Sequence, residues 1–117
     1  MNRSDLDRLW DARDFARHVQ ENAGGLSAET LAGAKQPQHA ALYGLVIVGE
    51  TLGKVSAEVQ SAAPELPWKA MTNLRNILVH AYWRVDLQLI AGIVAHRIDP
   101  LVAELERLIA FLERSEK

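Results

Sequence analysis

No cysteine occurs among the 117 residues, which excludes disulfides and thiolate metal sites. Aromatic residues are scarce at 6%, while apolar residues reach 49%, so Leu, Val, Ile and Ala must fill the core. Glycine is sparse, and the Ala- and Leu-rich remainder favours helix throughout. No apolar run approaches the roughly 18 residues that would span a membrane. The charged start, MNRSDLDRLW, lacks the apolar segment of a secretory signal. A soluble, cytoplasmic protein with no membrane partner is expected. The formal net charge of −2 excludes binding of nucleic acid by bulk charge, so any RNA contact must rest on a local basic patch. His18, His39, His80 and His96 share no ligand spacing, so no metal and no cofactor is expected. A Gly-rich phosphate loop is absent: Gly44, Gly49 and Gly53 fall inside a helical pattern. Nothing in the spacing points to a Ser-His-Asp triad.

The length fits one domain over residues 1–117. Ser4 followed by Asp7 resembles a capping box with Asp in place of Glu. Leu6, Leu9, Trp10, Phe15, Ala16 and Val19 then share one face of a first helix, to about Asn22, which Gly24 and Gly25 end. From about Gly24 to Pro37 the composition suits a surface loop, with room for a short helical turn over Ser27 to Ala34. A long helix is expected from about Gln38 to Ala62, with Leu42, Leu45, Val46, Leu52, Val55 and Val59 as its stripe. Between Ala40 and Val48 it is apolar almost all round, so it must be covered on more than one side. A partner surface, such as an identical subunit, is the favoured cover. A central place in a monomeric bundle is the alternative. Glu50 is a charge in this apolar helix, either paired with Arg75 or solvated at the edge of the stripe.

Pro64 and Pro67 break the chain before its most informative stretch, Trp68 to Asp86, WKAMTNLRNILVHAYWRVD. Met71, Leu74, Leu78 and Ala81 fall at helical spacing, and no Pro or Gly interrupts them, so a helix is expected from Trp68, followed by a short turn at Arg84-Val85-Asp86. Arg75 and Tyr82 would then share one flank of the apolar stripe, with His80 on the other and Asn76 beside His80 on the polar side. On an ideal helix Arg75 and His80 point roughly 140° apart. They act together if the helix bends or ends near His80, or if a second copy of the chain supplies the missing wall of a cleft; the dimeric cleft is favoured. Asp86 can cap a helix starting near Leu87. Asp99-Pro100 marks a kink or a new helix, completed by Leu101, Leu105, Leu108, Ile109 and Leu112. The expected fold is an all-α bundle of four main helices, the last kinked or split.

The residue types in the central stretch suit one chemistry. An imidazole takes and gives a proton near neutral pH. An arginine fork matches a phosphate. A Tyr hydroxyl and an Asn amide can donate to anionic oxygens or orient the imidazole. Base, cation and orienters suffice for RNA cleavage without a metal, because the ribose 2′-OH is itself the nucleophile. His80 would remove its proton and Arg75 would stabilise charge gathering on the phosphate.

Arg75, four residues, His80, one residue, Tyr82 matches the R-x4-H-x-Y motif of HEPN-domain ribonucleases, and Asn76 fits as the polar residue after the Arg. The surrounding block, PELPWKAMTNLRNILVHAYWRVD, resembles the HepT-like branch, as does the pair Gly49-Glu50. The resemblance implies a helical homodimer whose motif helices face one another across a cleft. It implies the toxin of a type II toxin–antitoxin system, acting on RNA (transfer or messenger), with a minimal nucleotidyltransferase as antitoxin. It makes Arg75 and His80 catalytic and Asn76 and Tyr82 supporting, with Tyr82 also the target of AMP transfer. A rival expectation is a non-catalytic binding module that holds a nucleotidyltransferase and cuts nothing.

Overall fold

The computed structural model describes residues 4–115. Among these, seven α-helices follow one another: α1 (Asp5–Ala23), α2 (Ala28–Gly33), α3 (Lys35–Gly53), α4 (Ala57–Ala62), α5 (Trp68–His80), α6 (Leu87–His96) and α7 (Ile98–Ser115). A 3-10 turn, Tyr82–Arg84, joins α5 to α6. The all-helical expectation therefore holds, and the count of four main helices is corrected to seven.

Each extra element has a local cause. Ser27 caps α2, its hydroxyl accepting the Thr30 N–H at 3.1 Å, so the short turn expected there is a formed helix. The expected long helix stops at Gly53 and restarts at Ala57. Ser56 accepts the Val59 N–H and caps α4. The start of α1 grips this break: Asp5 accepts from both the Ser56 N–H, at 3.0 Å, and the Ser56 hydroxyl, at 2.7 Å. Arg8 donates to the Lys54 carbonyl at 3.2 Å. Of the expected capping box on α1, the Ser4 half is present, accepting the Asp7 N–H at 3.0 Å. The last helix is split, as expected, but at Arg97 rather than at Asp99, which lies with Pro100 in the first turn of α7, where a missing N–H costs nothing.

α3 runs through the middle, with α1 on one side and α5 on the other; α7 lies along α1, and α2 covers part of α6. Leu45, Val48 and Leu52 of α3 are fully buried. Much of the apolar girth of α3 is therefore covered from within the chain, by α1 and α5, while Tyr43 stays exposed and Leu42, Val46 and Ile47 half-buried. Gly44 makes the close approach possible: a Cβ there would lie 2.5 Å from Val19 Cγ2 and 3.3 Å from the Phe15 carbonyl oxygen. Trp10, expected on the buried face of α1, is 37% exposed instead, with the Arg13 guanidinium 5.3 Å from its ring centre.

α1 and α7 are tied at one carboxylate. Glu106 accepts from Arg13 Nε at 3.0 Å and Nη2 at 2.9 Å, and from Arg17 Nη2 at 2.8 Å. The Arg13 hydrogen bonds, with Arg17 beside them, hold the Glu106 carboxyl below the usual carboxylate range. A carboxylate lowered on folding contributes stability above its unfolded value and loses it as pH falls through the folded one. Being solvent-accessible, the cluster contributes modestly. Glu106→Gln is expected to melt slightly below wild type at neutral pH. In strong acid, where the native side chain is protonated, the two should melt together; a gap of constant size across the pH range would show that the charge of Glu106 contributes nothing.

Candidate active site

The motif helix α5 begins after Pro67, and its first turn is pinned by side chains. The Trp68 indole N–H donates to the Ala63 carbonyl at 2.9 Å, and the Thr72 hydroxyl donates to the Trp68 carbonyl at 2.9 Å. Met71, Leu74 and Leu78 are its buried face. That face rests on α3 at Gly49, where a Cβ would meet both Arg75 Cβ and the Met71 carbonyl oxygen at 2.5 Å. One turn on, a Cβ at Gly53 would meet Thr72 Oγ1 at 3.3 Å. The two helices thus touch almost backbone to backbone, and the contact point is the base of the Arg75 side chain.

From that base the Arg75 guanidinium turns back along α3. Its Nε lies 2.7 Å from Glu50 Oε2, and its Nη1 donates to Asn76 Oδ1 at 3.0 Å. The Nε–H has no well-directed acceptor, so its contact with Glu50 is an ion pair rather than an aligned hydrogen bond. Lys54, one turn along α3, lies 3.1 Å from the other oxygen, Glu50 Oε1. Of the two readings open for Glu50, the structure takes the pair. The Lys54 hydrogen bond above all, helped by the charges of Arg75 and Lys54, holds the Glu50 carboxyl below the usual carboxylate range against the opposing effect of partial burial. Glu50 is therefore ionised at neutral pH and holds the motif cation in place.

His80 is the last residue of α5. The helix does not run on to the turn expected at Arg84-Val85-Asp86. Ala81 leaves helical geometry, at φ −146° and ψ 45°, and the 3-10 turn follows. The demand comes from further on. Asp86 accepts the Gln88 N–H at 2.9 Å and caps α6, and Val85 packs on the core, which together require the chain to turn back before them. Tertiary demand overrides local propensity here. Tyr82 consequently does not share a helix flank with Arg75. It sits in the turn, 70% exposed. Arg75 and Asn76 are joined; His80 is exposed and makes no hydrogen bond or ion pair among the described residues, and neither does the Tyr82 hydroxyl.

The flank of α5 away from Arg75 faces no packed helix. It borders an apolar groove of about 620 Å³, lined among others by Ala70, Leu74, Ile77, Leu89, Ile93 and Leu101. Ile77 and Leu89 are 47% and 53% exposed there. No set of three His, Asp or Glu residues placed to hold a metal ion occurs among the described residues. No helix among them is long and apolar enough to cross a membrane. Lys54 escaped the sequence reading, although its spacing of four from Glu50 on one helix was a readable signal.

The glycine contacts give a paired prediction. Gly49→Ala should destabilise the fold by about 1–3 kcal/mol, since its Cβ meets backbone that cannot yield. Gly53→Ala should stay within about 0.5 kcal/mol of wild type, because the Thr72 hydroxyl can shift. Thermal melts of the two variants check this; equal losses would place the tight contact elsewhere.

The HepT-like ribonuclease family matches residues 12–108. A protein of Thermococcus cleftensis named "Probable ribonuclease HepT" is 30% identical over 108 residues, covering 92% of this chain and 98% of that one. A Methanocaldococcus jannaschii protein named "Putative RNase MJ1380" is 30% identical over 98 residues, covering 84% and 90%. A second from that organism, named "Putative RNase MJ0127", is 23% identical over 93% of this chain and 90% of its own. No solved structure matches the chain. With its motif helix in place and most of its length matched, the chain belongs to the HepT-like ribonuclease family.

Proposed function

We propose that the chain is a metal-independent endoribonuclease that works as a homodimer and serves as the toxin of a type II toxin–antitoxin pair. The observation that carries this reading is the state of Arg75, fixed by Glu50 and Asn76 on the same helix that ends in an exposed His80. A cation held in place and an imidazole left unpaired on one helix are the two groups that phosphoester cleavage needs.

His80 removes the proton of a ribose 2′-OH. The 2′-oxygen bonds to phosphorus, the bond from phosphorus to the 5′-oxygen breaks, and that oxygen takes up a proton. The products are a 2′,3′-cyclic phosphate and a 5′-hydroxyl. Arg75 stabilises the charge on the non-bridging oxygens, and Asn76 steadies its fork. Arg75 and His80 leave α5 on different flanks, so each site joins the Arg75 of one copy to the His80 of another. The exposed Ile77 and Leu89, on the rim of the apolar groove, support such an apposition.

The exposed Tyr82 hydroxyl supports control by a minimal nucleotidyltransferase antitoxin. Transfer of AMP from ATP to that oxygen, with release of pyrophosphate, would place negative charge and bulk where RNA phosphate must lie. Transfer and messenger RNA are both candidate targets. One observation favours the second reading, a non-catalytic module that only binds the nucleotidyltransferase: Glu50 already neutralises Arg75.

Cleavage assays in EDTA separate these. Wild type should cut RNA to 2′,3′-cyclic ends and leave DNA intact. His80→Ala should lose roughly 10²–10⁴-fold in rate, and Arg75→Ala roughly 10²–10³-fold. Undiminished cutting by His80→Ala would overturn the assignment of the base. Silence of the wild type, with an unmodified mass at Tyr82, would favour the binding module.

A further inference from the structure

Tyr82 and Trp83 are neighbours in the 3-10 turn, and each is 70% exposed. In a chain with 6% aromatic residues, two large rings left in solvent side by side call for a ligand. The rings meet edge to face, with centres 5.6 Å apart and planes at 80°. The turn that carries them is closed by backbone hydrogen bonds, Arg84 N–H to the Ala81 carbonyl at 2.8 Å and Val85 N–H to the Tyr82 carbonyl at 3.2 Å. It is bounded by the end of α5 and the Asp86 cap of α6. A platform held in this way loses little freedom when something stacks on it.

The surroundings say what stacks. Neither ring lines the apolar groove, whose exposed rim is Ile77 and Leu89. The pair is bordered along the chain by His80 and Arg84, both exposed. Arg84 makes no ion pair among the described residues and can turn to an anion. A planar apolar surface framed by a base and a cation matches a nucleotide, which offers a ring face and a phosphate together. The chemistry makes the same demand. Attack by a 2′-oxygen requires it to lie in line with the leaving 5′-oxygen. Regular A-form RNA does not provide that alignment, so the nucleotide at His80 must leave its stack and find another.

We propose that Trp83, with Tyr82, is the platform on which an unpaired RNA base stacks beside the scissile phosphate, with Arg84 on the adjoining phosphate, which makes single-stranded RNA the substrate class. This rests on the nuclease reading above and goes beyond it by naming a binding residue outside the motif.

The test uses a short fluorescein-labelled single-stranded RNA in EDTA and a His80→Ala background, so that binding is read without cleavage. Trp83→Ala should weaken binding about tenfold or more, and Trp83→Phe should recover most of it. A duplex of the same sequence should bind weakly and ignore both substitutions. With native His80, Trp83→Ala should raise KM and leave kcat nearly unchanged. If the native chain cuts RNA while Trp83→Ala binds and cuts equally well, the platform is wrong and the nuclease stands. If binding depends on Trp83 but the native chain cuts nothing, the platform stands and the nuclease reading fails. If Trp83→Ala dissociates a dimer in light scattering and no RNA binds, the rings are a protein contact and the inference is overturned.

Discussion

The close approach of α3 to α5 at Gly49 is the contact on which the site depends. Any side chain there would collide with the Met71 carbonyl and with Arg75 Cβ. Because the two backbones nearly touch, the Arg75 side chain starts at the helix interface, within reach of the next residue along α3, Glu50. A glycine and an acid in succession thus set where the motif arginine begins and where its charge ends. An arginine on an exposed flank would spread over many rotamers; this one is tethered at two nitrogens, by Glu50 and Asn76. Ordering it before the ligand arrives removes part of the entropy cost of binding.

The same packing leaves α5 supported mainly from one side. α3 holds it, while the opposite flank opens on the apolar groove toward α6 and α7. His80 lies at the open end, where the helix stops and the exposed aromatic turn begins. For the proposed cleavage, a cation held by the core and an imidazole left at the rim would form an incomplete site in one chain. In the proposed dimer a second copy presenting the same helix would complete it, because a two-fold pairing of identical faces would supply to each copy what it lacks.

Much of this was legible in the sequence. The helical class followed from Ala and Leu content and from apolar spacing, and the Asp86 and Ser4 caps were readable from residue type. The motif residues could be singled out because Arg75, Asn76, His80 and Tyr82 sit so close together. What was not legible depended on distant parts of the chain. Periodicity carried α5 past Tyr82 to a turn at Arg84-Val85-Asp86, whereas the need to seat Val85 and start α6 ends it at His80 and moves Tyr82 off the helix. The apolar girth of α3 signalled burial without saying by what, and within the chain α1 and α5 supply much of the cover. The α3–α4 break owes its form to Asp5, some fifty residues earlier, which no local pattern can reveal.

The measurement that bears most directly on the composite site is complementation between two inactive variants. Arg75→Ala and His80→Ala chains would be mixed, allowed to exchange subunits, and assayed for RNA cleavage in EDTA. A site built across two copies leaves one intact Arg75–His80 pair in every mixed dimer. The mixture should then regain about a quarter of wild-type activity at full random exchange. A mixture as silent as either variant alone, with exchange confirmed by mass, would mean that each chain carries its own complete site and would contradict the account.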